Sequence, residues 1–277
     1  MSKQEKFTNL EAIEASKLHF YLDDCHQISV QQILAADTLD STQDWLLNAI
    51  KTGKDYRVAT TDLQTAGRGK QGRVWHGGTK CTNFAFSFSY TPKSMVQSWA
   101  GLTLLLGIAV VGALKTFGIK EGLALKWPND LYLDGRKLGG ILVELTKFKE
   151  QSILVIGTGI NLAPPKVATG EKLISASLSE KLPEQVLAKR NQFLGGILDQ
   201  MLAACEQYEQ FGLEPWLDIW NDLDFTANKT VAIDTAKRKL IGRDLGIDAK
   251  GRLLLGLNEK DVIALNAGEV QLFRPTE

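Results

Sequence analysis

Lys126–Leu145 reads KWPNDLYLDGRKLGGILVEL. Asp134-Gly135 at its centre supplies the positive φ angles of a tight hairpin, and apolar residues flank it on both sides, so the stretch predicts two antiparallel strands. Gln151–Ile160 follows as a further apolar strand. Upstream, Asn83–Tyr90 sets Phe84, Phe86, Phe88 and Tyr90 at period two against Ala85, Ser87 and Ser89. That pattern is a strand with one bulky face for the core and one small face that leaves room for a ligand. Between these strands, Trp99–Leu114 is a 16-residue apolar run with three glycines. It is shorter than the roughly 18 to 20 residues needed to cross a bilayer, and it predicts a buried helix.

Further along, the helical pattern from Pro183 to Phe211 carries Val186, Leu187, Phe193, Leu194, Ile197, Leu198, Met201 and Leu202, with Gly212 as a stop. A short helix holding Trp216 and Trp220 is expected next. After Phe225 the character changes to Lys229–Ile233, Leu240–Ile247, Arg252–Leu257 and Val262–Leu265, short segments bounded by Gly or Asn. The expected fold class is α+β, a mixed-sheet domain followed by a small β-barrel. The expected domains are a helical N-terminal extension over 1–35, a main domain over 36–225 and a C-terminal domain over 226–277.

The 277 residues, 44% hydrophobic and 23% charged, exclude disordered and collagen-like classes. Lys plus Arg and Asp plus Glu number 32 each. With no net charge, no global field draws the chain to nucleic acid or to a membrane. Cys25, Cys81 and Cys205 are widely spaced and form no CxxC pair, which fits a reducing cytoplasm better than a disulfide framework or a zinc site. The N-terminus alternates charged and apolar residues and does not resemble a secretion signal. His19, His26 and His76 show no ligand spacing.

Zero net charge hides an asymmetry. From Leu63 to Lys120 there is no Asp or Glu, while Arg68, Lys70, Arg73, Lys80, Lys93, Lys115 and Lys120 are present. Three of these lie in GRGKQGR, where Gly67, Gly69 and Gly72 free the backbone to turn N–H groups towards an anion. A solvated basic loop is the plain alternative. The loop matches GxGxxG, but no acidic residue for a ribose follows until Glu121, and the Ser or Thr ending of a P-loop is missing. Lys126, Asn129, Asp130 and Lys137 fall within 12 positions. Alternation puts Lys126 and Asp130 on one strand face, where they are a reacting pair or a salt bridge. Gly139 and Gly140 suggest close approach to the backbone. In GTGINL (Gly157–Leu162), Asn161 ends a strand, where an amide reads a purine or ribose.

Taken together, LDSTQ (Leu39–Gln43), LQTAGRGKQGRVW (Leu63–Trp75), KWPNDLYLDGRKLGGILVEL, GTGINL, GIDAKGRLLL (Gly246–Leu255) and GEVQLFR (Gly268–Arg274) resemble the biotin protein ligases in order and spacing. The resemblance implies a class II synthetase-like catalytic domain with an SH3-like C-terminal barrel. It also implies a two-step reaction: biotin and ATP give biotinyl-5'-AMP and pyrophosphate, with Mg²⁺, and the acyl group then passes to a lysine of the biotin carboxyl carrier protein of acetyl-CoA carboxylase. By the same resemblance, Ser41, Thr42, Gln43, Gln64, Arg68, Gly69, Lys70 and Lys137 hold biotin and its acyl phosphate. Gly67, Arg68, Arg73, Trp75, Lys126 and Asn161 serve the nucleotide and adenylate. Lys137 and Asp130 are the catalytic pair, Lys137 on the carboxylate and α-phosphate, Asp130 orienting or deprotonating the acceptor lysine.

Two positions depart from the family pattern. Lys70 stands where the family usually has Arg, and Arg274 comes one position late and is not assigned to ATP. The segment before LDSTQ is short for the winged helix-turn-helix of bifunctional members, so a monofunctional, cytoplasmic enzyme without DNA binding is expected, monomer or homodimer. The alternatives are a lipoate-type ligase, a non-catalytic biotin-binding regulator, or an RNA-binding module acting through the basic loop.

Overall fold

The computed structural model describes residues 10–93, 99, 101–164, 175–235, 238–258 and 260–273. A seven-stranded sheet has the order β1-β2-β3-β7-β6-β5-β4. Its strands are β1 (Ile33–Leu39), β2 (Val58–Gln64), β3 (Asn83–Tyr90), β4 (Leu123–Lys126), β5 (Asp130–Leu133), β6 (Arg136–Phe148) and β7 (Gln151–Asn161). β1 runs parallel to β2 and every other pairing is antiparallel, so the sheet is mixed as expected. β1 straddles the expected boundary at residue 35/36.

The period-two reading of β3 explains the layers. Phe84, Phe86 and Phe88 are fully buried in the main core, together with the apolar residues of α3 (Leu102–Thr116) and α5 (Arg190–Phe211). On the other face, α2 (Thr42–Lys51) covers Ala59, Ile153 and Val155 with Leu46 and Ile50. Removing a buried ring such as Phe86 costs about 3 to 5 kcal/mol at sites of this kind. In the β5–β6 hairpin, Asp134 and Gly135 have φ of 46° and 73°, the positive pair that the sequence demanded.

Two expectations are corrected. The helix from Pro183 is broken into α4 (Glu184–Leu187) and α5, because Lys189 leaves helical geometry and Arg190 turns inward to a buried ion pair with Asp62. Trp216 lies in a 3₁₀ turn and only Trp220 is in α6 (Leu217–Leu223). Among the described residues before β1, the helical content is α1 (Ala15–Phe20), six residues, and two 3₁₀ turns. This segment is tied to α5, with Glu14 N donating to Asn191 Oδ1 at 2.9 Å.

The C-terminal region is an antiparallel sheet in the order β11-β10-β9-β8-β12. Its strands are β8 (Thr230–Asp234), β9 (Lys239–Ile247), β10 (Leu253–Gly256), β11 (Val262–Leu265) and β12 (Glu269–Leu272). It is consistent with an SH3-like domain but open where a closed barrel was expected, since β11 and β12 do not pair among the described residues. Its buried Val231, Ile233, Leu253, Leu255 and Val270 join the same core as the large sheet. Trp127 seals the seam, fully buried, its indole N–H donating to Gly251 O at 3.0 Å. Arg274 lies outside the described residues.

Candidate functional site

The small face of β3 meets the first turn of α2, and an open cleft forms beside them. Ser41 caps α2 by accepting from Asp44 N at 3.3 Å, which sets Thr42 and Gln43 against the sheet. Gln64 Oε1 accepts from Thr42 N at 2.8 Å, and Thr42 Oγ1 lies 3.0 Å from Ser87 Oγ. Ser87 in turn donates to Gln43 Oε1 at 3.0 Å, and Gln43 Nε2 donates to Glu144 Oε2 at 2.9 Å. This polar floor is buried and internally satisfied, so its geometry is fixed before any ligand enters. Gly157 is required there, because a Cβ would fall 2.6 Å from Gln43 Oε1.

The glycine loop folds over this floor. Gly69 N donates to Arg73 O at 2.7 Å and Trp75 N to Gly67 O at 2.8 Å, closing a short hairpin. The loop's cations have different fates. Arg68 Nη2 bridges Asp44 Oδ1 at 2.7 Å and Glu144 Oε2 at 2.9 Å. Arg73 forms a two-pronged pair with Glu269 of β12, at 2.8 and 2.7 Å. Lys70 has no hydrogen-bond or ion-pair partner among the described residues; burial lowers its pKa below the ordinary lysine value, against the pull of Asp130 and with a push from Arg73. The Trp75 indole packs directly against Gly159, where a Cβ would come within 2.5 Å of the ring, and its N–H is buried with no partner among the described atoms.

The opposite wall comes from the opening motif. Lys126 and Asp130 are cross-strand partners on β4 and β5, so they share a face as expected, at 3.8 Å between Nζ and Oδ2. Lys137 Nζ sits closer, 2.6 Å from Asp130 Oδ1. Gly139 does allow close packing, since a Cβ there would lie 2.3 Å from Gly159 O, whereas a Cβ on Gly140 would meet nothing nearer than 3.6 Å. Arg68, Lys70, Arg73, Lys126 and Lys137 line the cleft against Asp130 and Glu269, five cations and two carboxylates, which leaves +3. Such a surface suits a polyanion.

Most expected site residues therefore converge: Ser41, Thr42, Gln43, Gln64, Arg68, Gly69, Lys70, Arg73, Trp75, Lys126, Asp130 and Lys137 all line the cleft. Gly67 and Asn161 do not. Gly67 is packed beneath Trp75 and Gln64. Asn161 is buried, its amide donating to Ala176 O at 3.1 Å, so it braces the end of β7 and does not face the cleft. Ser87, Glu144 and Glu269 were not singled out in the sequence; the small face of β3 was the signal for Ser87, whereas the two glutamates declare themselves only through partners far along the chain. No group of three or more His, Cys, Asp or Glu suited to a metal occurs among the described residues. The donor set fits a Mg²⁺ carried on substrate phosphates and met by at most a carboxylate such as Asp130, the usual habit of this ion.

The comparisons with known proteins bear on this cleft directly. The chain is 34% identical over 230 residues to the bifunctional ligase/repressor BirA of Escherichia coli, covering 83% of this chain and 70% of that protein. The chain belongs to the biotin protein ligase family. The model of the biotin/lipoate A/B protein ligase family matches residues 35–161, which hold the polar floor, the glycine loop and the Lys126–Lys137 wall of this family member. A biotin-[acetyl-CoA-carboxylase] ligase of Mycobacterium tuberculosis is 27% identical, covering 83% of this chain and 85% of its own length. The structure of the Aquifex aeolicus biotin protein ligase in complex with biotin and ATP superposes with a TM-score of 0.67 at 25% identity, covering 87% of this chain and 97% of that one.

Proposed function

We propose that the chain is an ATP-dependent ligase that converts biotin to biotinyl-5'-AMP and transfers the biotinyl group to a lysine of the biotin carboxyl carrier protein of acetyl-CoA carboxylase. The observation that carries this reading is a cleft of charge +3 whose buried polar floor is already formed, in a member of this family. A biotin carboxylate attacking the α-phosphate of ATP brings two anions together and expels a third, pyrophosphate. Clustered cations offset that repulsion and stabilise the charge that develops. The apolar ring of Trp75 and the floor at Gly157 and Gly159 suit the bicyclic end of biotin, and Thr42, Gln43, Gln64 and Ser87 supply its polar contacts.

Lys137 is the donor to the biotin carboxylate and the α-phosphate. It carries three N–H groups and spends one on Asp130, which leaves two for the reacting anions. Lys126 and Arg73 face the triphosphate, and Arg68 and Lys70 retain the adenylate. In the second step Asp130 orients the incoming lysine and takes its proton as the C–N bond forms and AMP leaves. Mg²⁺, when bound, screens the departing pyrophosphate. The relatives' names favour biotin over lipoate, and catalysis over a purely regulatory role.

Among the described residues ahead of β1, the α-helical part is the six-residue α1. No helix among the described residues is long and apolar enough to cross a membrane, and a cytoplasmic monomer or homodimer fits the substrates. The test is biotin-dependent exchange between pyrophosphate and ATP, followed by transfer to a carboxyl-carrier domain and peptide mapping. One biotinylated lysine on the carrier is expected; no exchange with biotin refutes the reading.

A further inference from the structure

Three lysines line the cleft, and they are not equivalent. Lys126 and Lys137 both approach Asp130, at 3.8 and 2.6 Å, and Lys126 also lies over the Tyr132 ring at 5.2 Å. Both ammonium groups are thus already held by a carboxylate. Lys70, on the loop that folds over the polar floor, is partly buried, lines the same cavity and makes no ion pair or hydrogen bond among the described residues.

We propose that Lys70 Nζ is a built-in acceptor for the activated biotin, so that the protein, supplied with biotin and ATP but no carrier domain, acylates itself at this lysine. The inference rests on the ligase reading above, because the acyl donor is the adenylate that the reaction makes. A lysine attacks an acyl phosphate only as the free amine, and burial, which lowers the Lys70 pKa, raises the fraction of that form. Two charged groups bear on it: Asp130 favours the ammonium and Arg73 opposes it.

In the step itself the Nζ lone pair forms a C–N bond to the biotin carbonyl carbon. The carbonyl carbon–oxygen bond to the phosphate breaks, and AMP leaves with that electron pair. The surplus amine proton passes to Asp130 or to the departing phosphate. No other co-reactant is needed. Because donor and acceptor share one cavity, the step is unimolecular and escapes the entropy cost of an encounter. Its product has lost the Lys70 charge and keeps biotin tethered in the cleft, so each self-acylation removes one active molecule. A carrier lysine that reaches the adenylate first prevents this, and the residue thus limits adenylate that has no destination.

The test uses the whole protein with biotin, ATP and Mg²⁺, without carrier. Pyrophosphate exchange is followed in the same sample, and biotinylated peptides are mapped over time. The expected result is label at Lys70 accumulating at least about tenfold faster than at exposed Lys51 or Lys80, at a rate per molecule independent of protein concentration. Adding a carrier domain should suppress it, and Lys70→Arg, which keeps the charge but offers no nucleophilic amine, should lower total self-labelling by a similar factor. Exchange without label at Lys70, or label spread over lysines according to exposure, overturns the proposal and leaves the ligase reading standing. Absence of exchange overturns both.

Discussion

Carboxylates are handled in opposite ways in the cleft and at the seam between the two sheets. In the cleft, Asp130 meets two lysines and Glu269 meets Arg73, and in the floor beneath it Glu144 meets Arg68. At the seam, Asp224, at the end of α6, and Asp244, on β9, are each left with a buried Oδ2 that has no hydrogen-bond partner among the described atoms. Thr226 N donates to Asp224 Oδ1 at 2.9 Å, and Gly246 N to Asp244 Oδ1 at 2.8 Å. Burial, then the neighbouring Asp244 charge, pushes Asp224 up to about 6, and burial raises Asp244 as well. Pairing keeps the cleft's charges available for chemistry, whereas the seam holds its two sheets together best with its acids protonated.

The largest expected effect breaks the paired side of this comparison. Lys137→Ala should slow the first half-reaction by at least two orders of magnitude, because removing a charge-assisted donor from a developing phosphoryl transition state costs about 3 to 4 kcal/mol. The fold should survive, since Lys137 is partly exposed at 40%. Near-normal biotin-dependent pyrophosphate exchange in a folded mutant would reduce the Lys137–Asp130 contact to a structural salt bridge.

The seam gives a pH test of opposite sense. Asp224 has a folded pKa above its unfolded value, so its stabilising contribution is complete below about pH 4 and is lost as pH rises through about 6. Asp224→Asn should therefore stabilise the protein above pH 6, by about 3 kcal/mol at most, with the gain fading towards pH 4. Urea unfolding at several pH values reads this; a gain that does not depend on pH would assign the effect to packing.

Lys70 sharpens the contrast from within the cleft. If it retains the adenylate, Lys70→Gly removes a charge-assisted contact worth roughly 1.5 to 3 kcal/mol and speeds adenylate release accordingly. Lys70→Arg should hold the adenylate at least as well, through a two-pronged guanidinium. Equal off-rates for wild type and both variants would make Lys70 a bystander in retention. The smallest effect belongs to Glu269→Gln: its pair with Arg73 is half-exposed, so stability should change by less than about 1 kcal/mol in denaturant titration. A larger loss would mean that the clasp holds the C-terminal sheet in place.

Local patterns made the middle of the sheet legible. The aromatic alternation of β3, the Asp134-Gly135 turn and the glycine loop each carry their own geometric requirement within a few residues. What escaped depends on partners distant in sequence. The break before α5 follows from Arg190 reaching Asp62, 128 positions away, and no helical periodicity reveals that. Glu144 and Glu269 are ordinary surface acids until Arg68 and Arg73 arrive from 76 and 196 positions off. Asn161 shows the converse: its position at a strand end was readable, but which way its amide turned was not, and Ala176 O claims it. The C-terminal strands were recognisable from their turns, except β12, where Val270 is the one buried residue and no apolar run marks a strand.

The clasp between Arg73 and Glu269 also bears on the order in which the molecule is made. Synthesis runs from the N-terminus, so the ribosome releases the glycine loop 196 residues before the carboxylate that anchors it. Gly268, Glu269 and Val270 form one wall of the cleft, and until they emerge that wall does not exist. The two ends of the clasp are thus made far apart in time, and the cleft is complete only after residues 268–270 have been added.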